Sequence, residues 1–151
     1  MAAAQSAEIL AAHQHARQAA GSGRLETLAA QEAAEIEAIA DRIIPADGTP
    51  GAKEAGVIYF IDRALGTFDR EKIPAYRRGL EMAQARRREL FPASVSIAAL
   101  TVDERQRLAA AIEHTDFFEM LRVHSVMGFL GSPEYGGNRN QAGWALIGFH
   151  P

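Results

Sequence analysis

Residues 117–148 read FFEMLRVHSVMGFLGSPEYGGNRNQAGWALIG, and this stretch decides the fold. Its first part, 117–130, predicts a helix that is apolar on nearly every side. A helix of that kind must be covered over most of its surface. The Gly-Ser-Pro sequence at 131–133 ends it, because proline cannot continue the hydrogen-bond ladder. A Gly/Asn turn follows, and a short helical turn around the single tryptophan, Trp144, closes the domain.

Upstream segments repeat their apolar residues at helical spacing. The predicted helices cover 5–20, 28–44, 52–65, 69–91 and 101–113. No stretch alternates apolar and polar residues for long, so strands are not expected. The sequence therefore predicts an all-α fold, a single-domain irregular bundle of about five to seven helices. The bundle is expected to end in a Gly/Asn-rich loop and a short C-terminal helix.

Local signals predict where several of these helices begin and end. Thr101 and Glu104 form the capping-box pattern, in which two side chains satisfy backbone N–H groups at a helix start. Asp69 is a candidate N-cap, with Pro74 tolerated in the first turn that follows. Gly66 suits the C-cap of the preceding helix. Asp62, within that helix, is expected at the edge of its buried face.

The chain divides into an N-terminal part and a main domain. Residues 1–27 are predicted as an Ala-rich helix and linker, because alanine favours helix but adheres weakly to other elements. The Gly-Ser-Gly sequence at 21–23 is a typical flexible joint. Residues 28–151 are predicted as the helical domain. A chain of 151 residues suits one continuous core.

Composition excludes several classes of protein. The net charge of −3 leaves no basic surplus to neutralise phosphates, so no nucleic-acid partner is expected. The absence of cysteine excludes disulfides, thiolate metal sites and a cysteine nucleophile. No stretch approaches the roughly 18 apolar residues of a membrane span, so direct membrane insertion is not expected. Without a signal-like N-terminus, the expected location is cytoplasmic, or periplasmic if a leader has been removed.

His124 is the residue in the apolar helix best suited to a chemical role. It could act as a general base or contact a partner, or it could be a core histidine satisfied by one hydrogen bond. Gly128, one turn later, would allow another backbone or a ligand to approach closely. The nearest approach to a metal set adds Glu113, His114 and Glu119. Glu119 and His124 are off the spacing that puts two ligands on one helix face, so no metal is expected.

Other catalytic and cofactor-binding patterns are weak. His13 and His15 fall on different sides of any helix and cannot share a metal there. The serines at 125 and 132 lack the surroundings of a nucleophile elbow. The Gly-Gly at 136–137 is not a dinucleotide fingerprint, since no strand precedes it. The arginine-rich run in 69–91 is either a solvated face or a surface for an acidic partner. Catalytic, cofactor-binding and metal-binding residues are therefore not predicted in this chain.

The loop after the apolar helix is the candidate partner interface. Aromatic anchors on a rigid loop are typical of interface hot spots. The predicted interface residues are Tyr135, Gly136, Gly137, Asn138, Trp144 and His124. The alternative is a well-ordered turn that packs back on its own core through the tryptophan. Both interpretations can hold together.

Three blocks of the sequence resemble the gluconate 2-dehydrogenase subunit 3 family. These are ADRIIPADGTPGAKEAGV at 40–57 with YFIDR at 59–63, FFEMLRVHSVMGF at 117–129, and SPEYGGNRNQAGWALIG at 132–148. The last block is the most specific, because it combines P-x-Y-G-G-N with a G-W pair a few residues on. Together the blocks cover most of the chain after about residue 28.

The resemblance implies a helical, non-catalytic small subunit that binds and stabilises a large FAD-dependent chain. That chain would be of the glucose-methanol-choline type and would oxidise a sugar, a glucoside or a sugar acid at a CH–OH group. The FAD and the catalytic histidine would belong to it. Some family systems add a multihaem cytochrome c subunit, and many small subunits carry a twin-arginine leader, which this sequence lacks at its start.

Two other functions remain open from the sequence. One is a transient assembly or export chaperone for the flavoprotein. The other is a stand-alone small enzyme using His124 with Asp62 or Glu119. Under the subunit interpretation the helical domain is unfinished alone, and the chain is expected to be poorly stable without its partner.

Overall fold

A computed structural model describes residues 23–151, and within them the chain forms six α-helices and no strand. The helices are α1 (Ala30–Ile43), α2 (Val57–Gly66), α3 (Ile73–Leu90), α4 (Val102–Ile112), α5 (Asp116–Leu130) and α6 (Ala142–Leu146). Three 3₁₀ turns lie at Arg70–Lys72, Pro133–Tyr135 and Arg139–Gln141. The all-α prediction is confirmed. The predicted helix at 5–20, with His13 and His15, lies outside the described residues.

Helix α5 is the centre of the bundle and packs against α1, α2, α3 and α6. Its inward face carries Phe117, Leu121, His124, Ser125, Gly128 and Phe129, all buried. Its outward face exposes Val123, Val126, Met127 and Leu130. Within the described chain, α5 is thus covered on one face only, although its composition calls for cover on most sides.

Two predicted helix-start signals are confirmed, the capping box at 101–104 and Pro74 in a first turn. The backbone N–H of Glu104 donates to Thr101 Oγ1 at 3.2 Å, and the backbone N–H of Thr101 donates to Glu104 Oε2 at 2.9 Å, so the capping box begins α4. Pro74 lies in the first turn of α3. Thr115 caps α5 by accepting the N–H of Phe118 at 3.2 Å.

Helix α2 begins later than predicted. The sequence predicts a start near Ala52, but α2 starts at Val57 after a run of turns. Gly56 interrupts any earlier helix because its backbone is left-handed, with φ of 66°. At the other end Gly66 is the last helical residue and Thr67 is the C-cap, so the predicted cap is wrong by one position.

Asp62 is more deeply placed than the sequence predicts. It is fully buried rather than at the edge of the buried face. Its carboxylate accepts the backbone N–H groups of Glu26, Thr27 and Leu28 at 2.8, 3.0 and 2.8 Å. Several N–H donors stabilise a buried carboxylate because they replace the hydration that it loses. Asp62 therefore ties the segment before α1 to helix α2.

Along residues 23–151, none of the helices combines the length and the apolarity needed to cross a membrane.

Candidate functional site

His124 lies at the centre of a buried polar network. Only 2% of its surface is exposed. Its Nδ1 atom is 2.7 Å from the hydroxyl oxygen of Tyr76 on α3, and its Nε2 atom is 2.7 Å from Oδ2 of Asp69. Asp69 also pairs with Lys72. The core-histidine interpretation expects one hydrogen bond, and the structure shows two, which join α5 to α3 and to the turn before it.

Asp69 is a corrected prediction. It was expected to cap α3, but its side chain makes no capping hydrogen bond. Helix α3 begins only at Ile73, after the 3₁₀ turn Arg70–Lys72. The carboxylate is used by Lys72 and His124 instead. The Asp69 side chain therefore binds His124, 55 residues away in sequence, rather than the backbone at the start of α3.

Electrostatics favour a neutral His124 in this network. Burial lowers the pKa of His124, because a charged imidazolium is poorly solvated inside the protein, although Asp69 opposes the shift. Burial also raises the pKa of the Tyr76 hydroxyl, which therefore keeps its proton. Burial alone would raise the pKa of Asp69, but hydrogen bonds from Lys72 and His124 outweigh it and keep that pKa below its ordinary value.

A single protonation state satisfies these groups. The ionised Asp69 can only accept, so Nε2–H of His124 donates to it. The Tyr76 hydroxyl then donates to the unprotonated Nδ1. The rings of Tyr76 and His124 stack with centroids 5.6 Å apart, and Phe60 meets the imidazole edge-on at 6.4 Å. Each polar group of the His124–Tyr76 pair is thus engaged inside the fold.

The structure does not bring His124 together with Asp62 or Glu119, the residues weighed as its catalytic partners. Asp62 binds the backbone N–H groups at 26–28. Glu119 pairs with Arg122 on the exposed side of α5 at 2.6 Å. Glu113 and His114 lie 3.5 Å apart at the surface. Across the described residues, no group of three or more His, Asp and Glu side chains is arranged to hold a metal ion.

The Gly/Asn loop packs back on the bundle. Gly136, Gly137 and Asn138 are buried. Asn138 bridges two backbones, because its Nδ2 donates to the carbonyl of Gly131 at 2.9 Å and its Oδ1 accepts the N–H of Gly143 at 2.8 Å. A Cβ on Gly137 would overlap the carbonyl of Gly128. The close backbone approach expected at Gly128 is therefore made by the chain's own loop.

Trp144 ties the C-terminal segment to the end of α5. Its indole Nε1 donates to the carbonyl of Leu130 at 2.7 Å, and its ring meets Phe149 edge-on with centroids 5.2 Å apart. Gly143 allows this arrangement, since a Cβ there would overlap the carbonyl of Phe129. Of the six predicted interface residues, Tyr135 and Trp144 are partly exposed, whereas the His124 and Asn138 side chains lie in the interior.

Three residues of the same loop that are not glycine have left-handed backbone conformations, with positive φ. Asn138, Asn140 and Gln141 have φ of 47°, 56° and 56°. Such conformations cost on the order of 1–2 kcal/mol for most side chains, and Asn tolerates them best. The two hydrogen bonds of Asn138 offset its cost. Asn140 and Gln141 are exposed.

The arginine-rich run of α3 proves partly structural. Arg77 pairs with Glu32 of α1 at 3.0 Å, and Arg86 pairs with Glu89 at 2.7 Å. Arg87 is buried and donates to the carbonyl of Ser94. A groove of about 550 Å³ between α1 and α3 includes Glu35 in its lining. Burial raises the pKa of Glu35, whose Oε2 accepts the N–H of Ile97 at 2.9 Å.

A surface that sequence reasoning missed lies on the outer side of α5. We call it the α5–α6 patch. It consists of Val123, Val126, Met127, Leu130, Trp144, Ile147 and Phe149. All except the partly buried tryptophan are exposed large apolar residues. The spacing i, i+3, i+4, i+7 along α5 was the available signal, because it places four apolar residues on the side opposite Leu121.

These features define a small helical protein in which a buried polar network around His124 stabilises the fold. Among residues 23–151, a broad apolar surface on α5 and the C-terminal segment is exposed. The chain belongs to the gluconate 2-dehydrogenase subunit 3 family, whose model matches residues 30–151. The resemblance in the three sequence blocks is thereby confirmed. No curated protein and no solved structure matches the chain.

Proposed function

We propose that this chain is a non-catalytic small subunit that binds and stabilises a large FAD-dependent dehydrogenase chain. The large chain is of the glucose-methanol-choline type and oxidises a CH–OH group of a sugar, a glucoside or a sugar acid. It holds the FAD and the catalytic groups. Membership of a family described as a dehydrogenase subunit supports this proposal.

The observation that carries the proposal is that both ring nitrogens of His124 are buried and bonded to other side chains of the same chain. His124 is the residue best suited to proton transfer in the described chain, and both of its ring nitrogens are engaged with Tyr76 and Asp69. A general base must reach the proton that it removes from a substrate. His124 and Tyr76 are both buried, so this geometry supports an architectural role.

Co-purification tests the proposal. The tagged chain is expressed together with the large FAD-containing chain and purified through the tag. We expect a yellow complex with one flavin per small subunit, and a lower soluble yield of the large chain when it is expressed alone. The isolated small chain should oxidise no sugar. Absence of any flavoprotein from the purified material would overturn the proposal.

The same purification separates a permanent subunit from a transient chaperone. A permanent subunit remains with the large chain through size exclusion at fixed stoichiometry. A chaperone raises the yield of the large chain but elutes apart from it, which would contradict the subunit proposal. Turnover by the isolated chain that is lost in His124→Gln, with its fold intact, would instead establish an enzyme.

A further inference from the structure

We propose that the α5–α6 patch is the surface onto which the large dehydrogenase chain docks. This inference rests on the proposed function and adds the place and the chemistry of the contact. The predicted interface in the Gly/Asn loop shares only Trp144 with it. The occupant is an apolar, uncharged surface of the large chain.

The first support is the outer face of α5. Val123, Val126, Met127 and Leu130 are between 36% and 43% exposed, and their spacing along the helix makes one continuous stripe. A scattered apolar residue on a surface is ordinary, whereas a continuous apolar surface marks an interaction site. The stripe runs along the helix that packs against most of the bundle.

The second support is the continuation of the stripe into the C-terminal segment. The stripe ends at Leu130, whose carbonyl accepts the indole N–H of Trp144, and the Trp144 ring contacts Phe149. The same segment exposes Ile147, three residues after Trp144. Two separate parts of the chain therefore contribute to one apolar surface, and Asn138 and Gly143 hold them together.

The third support is the size of the patch. The six exposed residues have exposed fractions of 36–59%, and with the roughly 150–250 Å² of an aromatic side chain as an upper guide they present at most on the order of 500 Å². A standard interface buries about 800 Å² per partner and is roughly 60% apolar, which also corresponds to about 500 Å² of apolar surface. The patch thus supplies the apolar share of one standard-size interface, and the interface of a permanent complex, which buries more than about 2,000 Å² in total, would extend beyond it.

The fourth support is the absence of charge. Neither 123–130 nor 142–149 contains Asp, Glu, Lys or Arg. The nearest charge on α5, Arg122, is paired with Glu119. Charged residues are depleted at the centres of interfaces, because an unpaired buried charge is costly. The surface that covers the patch must therefore be apolar as well.

The experiment places a charge at the centre of the patch. Val126→Lys and Ile147→Lys are tested in the co-expressed complex with the large chain. Both positions are exposed, so the fold should tolerate the change. Val95→Lys is the matched control, since Val95 is an exposed valine on the loop between α3 and α4. Circular dichroism and thermal melts of the three variants verify that each is folded.

We expect each patch variant to weaken the complex by at least about tenfold, and the Val95 variant by less than about twofold. If the wild type binds the large chain and the patch variants bind equally well, the docking surface is wrong although the proposed function stands. If the wild type binds no flavoprotein, the proposed function itself fails. A wild-type homodimer that Val126→Lys separates, with the heterocomplex unaffected, would also overturn the inference.

Discussion

The Nε2 atom of His124 lies 2.7 Å from the Oδ2 atom of Asp69, and this contact joins the centre of α5 to the turn that precedes α3. The other ring nitrogen binds Tyr76, so one side chain connects three parts of the fold. Polar groups in such a network depend on one another, because removal of His124 leaves the buried Tyr76 hydroxyl without its acceptor.

Substitution of His124 by alanine should destabilise the chain strongly. The change removes two buried hydrogen bonds and leaves the Tyr76 hydroxyl without its acceptor, at a cost of about 2–4 kcal/mol. Urea unfolding of the soluble chain, or of its complex, measures the loss. His114→Ala is the control, because the His114 side chain is 94% exposed, and it should change stability by less than about 0.5 kcal/mol. Equal effects of the two substitutions would refute the structural role.

Stability should fall in mild acid because of His124. Its pKa in the folded chain is below the ordinary value of 6.5, so the unfolded chain takes up the proton first as the pH decreases. The contribution of His124 is complete above about pH 7.5 and declines below 6.5, with a slope of up to roughly 1.4 kcal/mol per pH unit.

The difference between wild type and His124→Gln isolates this effect, since glutamine carries no titratable proton. Unfolding free energies measured from pH 8 to pH 5 should fall more steeply for the wild type. Asp69 acts in a more acidic window, because its pKa is lowered from 3.8 and its contribution is lost only below that value. Parallel pH curves for the two proteins would show that His124 does not titrate as the structure requires.

Asn138 and Asn140 share a left-handed backbone but should respond in opposite ways to substitution. Asn138→Ala removes both bridging hydrogen bonds and places alanine at φ of 47°, so it should cost about 3 kcal/mol. Asn140→Gly relieves backbone strain at an exposed position. It should leave the free energy of unfolding unchanged or raise it by up to about 1 kcal/mol. Thermal and urea unfolding compare them. A destabilising Asn140→Gly would mean that this side chain has a contact of its own.

Gly143→Ala should loosen the C-terminal segment. The added Cβ would overlap the carbonyl oxygen of Phe129, and backbone cannot move aside as a flexible side chain can. We expect a loss of about 2 kcal/mol. Ala145→Ser, at an exposed position of the same helix, should be neutral within about 0.5 kcal/mol. Hydrogen exchange at 142–149 should accelerate in the glycine variant alone, and unchanged protection there would contradict the tight packing.

Much of the fold follows from signals between near neighbours in sequence. The Thr101 and Glu104 capping box, Pro74 in a first turn and the break after α5 each depend on a few adjacent residues. Such signals act before tertiary structure forms, which is why the sequence predicts these boundaries within a residue or two.

The site could be predicted only in part, because its contacts are distant in sequence. Asp69 looks like a local cap, yet its carboxylate serves His124, 55 residues away. Asp62 looks like an edge residue, yet it binds N–H groups 34–36 positions earlier. The loop at 135–140 was recognised as a turn, but packing against α5 decides which of its side chains point inward. The sequence shows that α5 is apolar on this face as well, but it does not show that this face points to solvent.

The chain's single tryptophan, Trp144, lies where the α5 stripe meets the C-terminal segment, bonded to the carbonyl of Leu130, in contact with the Phe149 ring and partly exposed. The intrinsic fluorescence of Trp144 therefore reports on the proposed contact. Covering the ring would shift its emission to shorter wavelength, and a nearby flavin, which absorbs in that range, would quench it. Assembly with a large chain could then be followed by light alone, without a label and without altering a single residue.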